Sequence, residues 1–435
     1  MTRPRNLPVY GARRYCKFAL QALQTVVNCD VGAVKGCLTN WLLLPPRLRP
    51  PVPNLIMSGF FLILLQAQST RAHEDIEAWA AGALQRRRAL ARGRRRRRRR
   101  EVVIRPYKPP LPYKRFSFNL NLWADLWVEK RLRFTKAEIA LILPYLRLDE
   151  INWKVDGNGY RPSQTKAFAI TLASLAFPLR QHDMIAWFGC SASQLSVIKN
   201  VVCCHLVTVF RDRLFWDRAR LTMEKMREYA AVINQHGGGD NIWGWIDGTV
   251  LRICRPTEGQ RKTYSGHKKF HGYKFQGVIT PDGMMASLAG PVVGSRGDWY
   301  MFKETGIEDE ILRLWREEQV RREERLYLYG DPAYCASATT MGAYKRAAGA
   351  QLTAQQHLFN AQMSSCRISV EHGFAHVQNK WMKNAFHHSL RAGSSPVAAY
   401  FLTAVLFSNL YTCLRGNQIG MRFGLVPPTL DEYLV

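Results

Sequence analysis

Two patterns are missing from this sequence of 435 residues, and each absence excludes a class of protein. The ten cysteines form no C-x-x-C pair, which argues against a zinc ribbon and against the disulfide framework of a small secreted protein. A convincing membrane span is also missing, because the apolar stretch from Leu55 to Ala67 has only about 13 residues and a bilayer needs roughly 20. We therefore expect a protein of a reduced compartment, the cytosol or the nucleus.

Acidic residues are scarce. The chain has 33 Asp and Glu against 62 Lys and Arg, which gives a formal net charge of +29. The excess of basic residues is densest in residues 1–100 and continues through the rest of the chain. Such a charge predicts a polyanionic partner, and we take nucleic acid rather than a membrane surface as that partner.

By composition the chain divides into three parts. Residues 1–115 are a weakly specified basic leader and linker, which carries seven consecutive arginines, Arg94 to Arg100. A run of like charges repels itself and stays solvated, so it predicts a nuclear-import signal or a phosphate-binding arm, unless the segment is an artefact of the gene start. Residues 116–235 are predicted to be helical, and residues 236–435 are predicted to form an α/β domain.

Within the helical part, local signals predict where helices begin and end. A T-x-x-E capping box at Thr135 and Glu138 precedes an apolar segment. A short helix is predicted to end at Gly189, and a longer one, capped by Ser191, is predicted from about 192 to 210. This helix-turn-helix-like pattern fits DNA contact and a purely structural bundle equally.

Strands are predicted after Asn241, with a hairpin turn at Pro281-Asp282-Gly283. Residues 301–326 are predicted to form one helix that leads into the last strand. The strongly apolar segment 395–414 is interrupted by Ser and Asn, and it is predicted to be a buried closing helix rather than a membrane span.

Acidic residues recur in similar settings in this α/β part. Asp247 follows "IWGWI" and Asp331 follows "LYLYG", so each is predicted to end a strand, and Glu371 is predicted on a helix four residues after Arg367. Carboxylates that converge from such places suit Mg²⁺, which prefers oxygen ligands, and paired ions of this kind act on phosphodiesters. On spacing alone, three acids among 33 are a poor signal, and turn-forming acids are the simpler interpretation of the pattern.

A run of motifs carries a family resemblance. "WIDGT", "YSGHKKFHGYKFQGVITPDG", "GPVVGSRGDW", "YGDPAY" and "MSSCRISVEHGF" follow one another in the order and approximate spacing of PIF/Harbinger-type transposases, whose nuclease domain belongs to the DDE superfamily. The chain resembles that family from about Asn241 to Tyr411. The resemblance implies a ribonuclease-H-like α/β domain, with a mixed central sheet flanked by helices, and a catalytic triad of Asp247, Asp331 and Glu371.

The activity that the resemblance implies is metal-dependent cutting and joining of DNA at transposon ends, with Mg²⁺ or Mn²⁺ as the cofactor. Water would be the first nucleophile and a DNA 3′-hydroxyl the second. On this view Gly248 leaves room for metal and phosphate beside Asp247. The resemblance also implies a nuclear location and a separate Myb-like DNA-binding partner protein, and it leaves the oligomeric state open, a homo-oligomer included.

Asp298 is a fourth candidate metal ligand. Family members often have His-Asp followed by a small residue, whereas this chain has Gly297-Asp298-Trp299. Asp298 therefore either lies near the metals or caps the following helix. Because the histidine is lost, a domesticated or inactive protein that binds DNA or a partner without cleavage is the alternative function.

Candidate DNA-binding residues cluster in residues 260–274, together with Arg367. Alternation along a strand would point their charges toward DNA phosphates, and a solvated hairpin edge is the alternative. Arg367 is predicted to orient Glu371 or to hold a phosphate. The complete set is Arg261, Lys262, His267, Lys268, Lys269, Lys274 and Arg367.

Overall fold

A mixed α/β architecture, as predicted, characterises the part of the chain that the structure describes. This computed structural model describes residues 116–154, 156, 159–346 and 351–435. The basic leader predicted for residues 1–115, with its arginine run, lies outside the described residues.

Helices come first in the described part. The predicted capping box is confirmed, because the Thr135 hydroxyl accepts the Glu138 N–H at 3.2 Å and the Glu138 carboxylate accepts the Thr135 N–H at 2.7 Å. The predicted stop at Gly189 is also confirmed, with a left-handed φ of 59°. The helices are α1 Asp125–Leu132, α2 Lys136–Ile142, α3 Gln164–Ala176, α4 Gln181–Phe188, α5 Ala192–Val209, α6 Arg211–Phe215 and α7 Met223–Gln235.

One mixed sheet of six strands follows. The strands are β1 Ile242–Arg252, β2 Tyr264–Ser265, β3 Phe270–Ile279, β4 Met285–Val293, β5 Tyr327–Gly330 and β6 Thr340–Met341. β3 pairs antiparallel with β1, β2 and β4, whereas β5 pairs parallel with β1 and β6. The pairing therefore changes from antiparallel to parallel at β1, which lies between β3 and β5.

Helices also connect and follow the strands. They are α8 Gln260–Thr263, α9 Asp298–Thr305, α10 Ile307–Glu317, α11 Ala354–Lys380, α12 Val397–Arg415, α13 Gln418–Phe423 and α14 Leu430–Leu434. The prediction of a single helix over residues 301–326 is wrong, because the helix is interrupted at Gly306. Its φ of 79° lies in the left-handed region that glycine adopts without steric cost, so α9 ends there and α10 begins.

Two apolar layers cover the two faces of the sheet, and β1 supplies a buried tryptophan to each. Trp245 packs in the layer that contains α11 and α12, whereas Trp243 packs in the layer that contains α7, α9 and α10. The register of β1 against β5 shifts between Ile242 and Gly244, and such an irregularity lets side chains two residues apart face opposite sides. Asp247, which follows the shift on β1, therefore lies on a strand that is packed on both faces.

The two helices predicted on either side of Gly189 and Ser191 are α4 and α5, which a three-residue turn separates. α5 packs against α3, α4 and α12, and only Ser193 and Thr208 are exposed along it. Its one lysine, Lys199, is 7% exposed, and its ammonium group lies over the Tyr400 ring of α12 at 4.4 Å. These contacts favour the structural alternative for α5 over insertion into a DNA groove.

The apolar segment near the carboxyl end is α12, and it is a core helix. By length and composition, α5 and α12 could each cross a membrane, yet 78% of the apolar window of α12 is buried inside the protein. Its Trp381-facing side bears Ser408, whose hydroxyl accepts the indole N–H of Trp381 at 3.0 Å. The prediction of a buried closing helix is confirmed.

The predicted hairpin turn between β3 and β4 is confirmed, and its central aspartate is fully bonded. One carboxylate oxygen of Asp282 accepts the Thr280 hydroxyl at 2.6 Å and the Met284 N–H at 3.1 Å. The other accepts the Tyr229 hydroxyl at 2.6 Å and the Arg220 guanidinium at 2.7 Å. The turn is thus tied to α7 and to the loop before it by a buried ion pair.

We predict that Asp282→Asn lowers the free energy of unfolding by about 3 kcal/mol, because it leaves buried Arg220 with one carboxylate fewer. Urea denaturation of the variant and the parent protein measures the loss. Asp240→Asn is the matched control, since Asp240 is exposed and should change stability by no more than about 0.5 kcal/mol. Equal stability of the two variants would contradict the importance of this ion pair.

Candidate active site

Asp247 lies in the middle of β1, not at its end as predicted. The strand continues to Arg252 because it stays paired with β3, where Asp247 is opposite Gly277. The parallel pairing with β5, in contrast, ends one residue earlier, at Ile246 and Gly330. Asp247 is therefore the first residue of β1 after the parallel pairing ends, and the sheet opens at this point.

Asp331 directly follows β5, as predicted, and lies beside Asp247. Because Ile246 is in register with Gly330, the next residues of the two chains are the two aspartates, and neighbouring strands are about 4.8 Å apart. Burial raises the pKa of the Asp247 carboxyl to about 6, and the charges of Asp331 and Asp298 add to the rise. The Gly248 N–H and Arg367 oppose it by stabilising the carboxylate. Acidic charge is thus concentrated at this opening of the sheet.

Arg367 connects Asp247 with Glu371. Both Arg367 and Glu371 lie on α11, four residues apart as predicted, and the Nη2 atom of Arg367 is 2.8 Å from Glu371 Oε1. The Nη1 atom of the same guanidinium is 3.4 Å from Asp247 Oδ2. One cation therefore bridges the acid of the strand and the acid of the helix.

Asp298 approaches β1 from the opposite face of the sheet. A Cβ atom on Gly248 would lie 1.9 Å from Asp298 Oδ1, so the space at Gly248 is already filled by this carboxylate. The interpretation that Gly248 leaves room for metal and phosphate is wrong for this reason. Because successive strand residues face opposite sides, the Asp247 side chain points away from that contact, toward α11. Asp298 begins α9 without capping it, since the N-cap residue is Gly297.

Lys274 is a buried partner of Asp298, which differs from the predicted role at a DNA surface. Its Nζ atom is 2.9 Å from Asp298 Oδ1 and donates to the Arg296 carbonyl at 3.1 Å. Only 8% of Lys274 is exposed, because β4 and α9 cover this part of β3. The ammonium group therefore compensates an acid inside the protein.

Gln276 and Tyr334 form a buried hydrogen bond beneath the acids, and the sequence analysis missed both residues. The Gln276 amide donates to the Tyr334 hydroxyl at 2.7 Å and to the Asp298 carbonyl at 3.3 Å. Tyr334 packs on Gly330, where a Cβ atom would lie 2.6 Å from its ring, and its N–H donates to the Asp331 carbonyl at 2.9 Å. The polar glutamine inside the apolar strand "YKFQGVIT" is the sequence signal from which a buried hydrogen bond could have been predicted.

The other predicted DNA-binding residues form an exposed basic surface around α8 and the turn before β3. They are not on one alternating strand face, because the chain turns twice between residues 260 and 270. The surface consists of Arg261, Lys262, His267, Lys268 and Lys269, all of which are exposed. It begins beyond Arg252, which lies about 17 Å from Asp247 at 3.3 Å per strand residue.

The carboxylate oxygens at this site suit a hard divalent cation, although the described side chains are not arranged around a single metal position. Asp247, Asp331 and Glu371 offer carboxylate oxygens, the ligands that Mg²⁺ and Mn²⁺ take. Among the described residues, however, no three His, Cys, Asp or Glu side chains are grouped so as to hold a metal ion. The guanidinium of Arg367 lies between two of the acids, Asp247 and Glu371.

Comparison with known proteins gives one match. Residues 246–409 match the family described as DDE superfamily endonuclease. The matched segment begins one residue before Asp247 and includes Asp298, Asp331 and Glu371. No curated protein and no solved structure matches the chain. The match indicates a nuclease or transposase function for this segment, and an endonuclease family implies DNA as the substrate.

We predict that Gly248→Ala destabilises the protein by about 1–3 kcal/mol, because its methyl group would overlap the Asp298 carboxylate. The measurement is urea denaturation, repeated in an Asp298→Ala background, where most of the cost should disappear. Gly297→Ala is the matched control, since a Cβ atom there has nothing within 4 Å. A cost that persists without the Asp298 carboxylate would show that this contact is not its cause.

Proposed function

We propose that the chain is a transposon-derived DNA endonuclease that cuts and joins DNA with Asp247, Asp331 and Glu371 as its catalytic acids. One observation carries the proposal: the three acids of the motif run, far apart in sequence, come to one opening of the sheet. Asp247 and Asp331 adjoin across the β1–β5 pairing, and Arg367 links Asp247 to Glu371. The match to the endonuclease family over the same residues supports this assignment.

We also propose that the domain has a ribonuclease-H-like fold and belongs to the PIF/Harbinger type. The fold is supported by the sheet, in which three antiparallel strands (β4, β3 and β1) are followed by two parallel ones (β5 and β6), and the type is supported by the order of the sequence motifs alone. The first acid lies on the central strand of that arrangement, and the second follows its parallel neighbour.

In this proposal the three carboxylates hold Mg²⁺ or Mn²⁺ at the opening of the sheet. A bound divalent cation would supply Lewis-acid stabilisation of the attacking and leaving oxygens of a phosphodiester. Asp247 is the best-fixed ligand, because β1 is paired with β3 on both sides of it, from Trp245 to Arg252. Glu371 is the most adaptable, since 56% of its side chain is exposed.

The exposed basic surface is the proposed binding site for DNA that flanks the cleaved bond. Arg252 is about 17 Å from Asp247, which corresponds to about five base pairs at 3.4 Å each. The guanidinium of Arg252 stacks 5.3 Å from the Phe270 ring, which holds this charge at the edge of the surface. Phosphate contacts there would position the duplex without reading its sequence.

A protein that binds DNA or a partner without cleavage is the second candidate. The observation that favours it is the bridge of Arg367 between Asp247 and Glu371, with no described group of acids arranged as a metal site. The presence or absence of metal-dependent cleavage by the purified protein separates the two functions.

Asp247→Asn should abolish nicking of supercoiled plasmid in Mg²⁺ or Mn²⁺, because it removes a charged ligand while it keeps the shape of the side chain. Affinity for duplex DNA should survive, which an electrophoretic mobility shift measures. The control is Asp309→Asn, which changes an exposed acid on α10 and should leave nicking intact. Cleavage retained by the Asp247 variant would overturn the catalytic assignment.

The pair Lys268→Ala and Lys269→Ala should weaken DNA binding and reduce its dependence on salt. Each lost phosphate contact lowers the slope of log affinity against log salt by about 0.9. The pair Arg316→Ala and Arg322→Ala makes the same change of charge at exposed positions elsewhere and serves as the control. An equal change of slope in both double variants would indicate a general effect of net charge instead of a defined surface.

We further propose a nuclear location and a Myb-like partner protein. The arginine run of the leader and the family resemblance support the location, and the resemblance alone supports the partner. Microscopy of a fluorescent fusion with and without Arg94 to Arg100 tests whether the run is needed for import.

A further inference from the structure

Arg367 has two carboxylate partners, and it uses a different end of its guanidinium for each. Nη2 is 2.8 Å from Glu371 Oε1, and Nη1 is 3.4 Å from Asp247 Oδ2. Arginine stays protonated at any ordinary pH, so this positive charge cannot be removed by loss of a proton. The guanidinium of Arg367 is thus a cation that the protein itself places between two of the proposed metal ligands, Asp247 and Glu371.

A divalent cation at the same carboxylates would lie within a few ångströms of this guanidinium. Like charges that close repel each other strongly at a partly buried site. Asp247 is only 21% exposed and Arg367 only 24%, so water screens the repulsion poorly. Binding of a metal ion to Asp247 and Glu371 therefore competes with the two ion pairs of Arg367.

A DNA phosphate offers Arg367 another partner. Arginine binds phosphate through two parallel hydrogen bonds, as it binds carboxylates, so the exchange costs little in geometry. The side chain reaches the surface through its exposed fraction and lies beside the acids at which the scissile phosphate would bind. Engagement of DNA would thus free the carboxylates for the metal ion.

We propose that Arg367 couples metal binding to DNA binding by exchanging its partners, from the carboxylates of Asp247 and Glu371 to a DNA phosphate. This inference rests on the proposed function. By thermodynamic linkage, DNA then tightens metal binding by the same factor by which the metal tightens DNA binding. The free protein holds its metal weakly, and the cleavage site is completed on DNA.

Calorimetric titration of the full-length protein with Mn²⁺, with and without a 30-base-pair duplex, tests the proposal. For the parent protein the duplex should tighten Mn²⁺ binding roughly 5- to 150-fold, the usual range of such coupling. Arg367→Gln should bind Mn²⁺ more tightly without DNA and should lose most of the enhancement. Arg367→Lys keeps the positive charge but loses the two-pronged guanidinium group, and it should still bind Mn²⁺ weakly without DNA.

Two controls isolate the effect. Arg422→Gln removes an exposed charge that contacts Ser365 of α11 and neither acid, so it should behave as the parent protein does. Asp247→Asn bound to the same duplex measures the Mn²⁺ that the DNA itself takes up. An Arg367→Gln protein with unchanged Mn²⁺ affinity, or with undiminished coupling, would overturn the exchange. Absence of Mn²⁺ binding by the parent protein in both states would instead overturn the proposed function.

Discussion

The pairing of β1 with β3 on one side and with β5 on the other is the constraint on which the candidate site depends. The antiparallel partner extends past Asp247, whereas the parallel partner stops just before it. The backbone of Asp247 is therefore paired with β3 on one side, whereas on the other side it has no paired strand. The register of β1 with β5, which pairs Ile246 with Gly330, brings Asp331 beside Asp247.

Local signals in the sequence predicted much of this structure, and contacts between distant segments account for what they did not predict. Thr135 and Gly189 mark helix ends through their own bonds and backbone angles, so both were predictable. The continuation of β1 past Asp247 depends on β3, and the contact of Gly248 with Asp298 joins residues fifty positions apart. The acids themselves were identified by motif order, whereas the burial of Lys274 required the folded layers around it.

Charge compensation is the second organising feature of the site. Arg367 bridges Asp247 and Glu371, and Lys274 is paired with Asp298. Carboxylates this close would otherwise repel one another and strain the sheet. Arg367 comes from the same helix as Glu371 and reaches Asp247 on β1, whereas Lys274 comes from β3 and pairs with Asp298 of α9. Three of the four acids therefore have a cationic partner supplied by the protein itself. The buried hydrogen bond between Gln276 and Tyr334 adds a neutral support under the same residues.

The hydrophobic core does not stop at the predicted boundary near residue 235. One continuous apolar cluster contains Phe168 of α3, Val202 of α5, Phe275 of β3 and Phe407 of α12, and Phe168 and Phe407 meet edge to face at 5.6 Å. A chain cut between the helical part and the sheet would leave both pieces with apolar surface uncovered. The helical part therefore forms one side of the same hydrophobic core as the sheet, and the two parts are expected to unfold together as one cooperative unit.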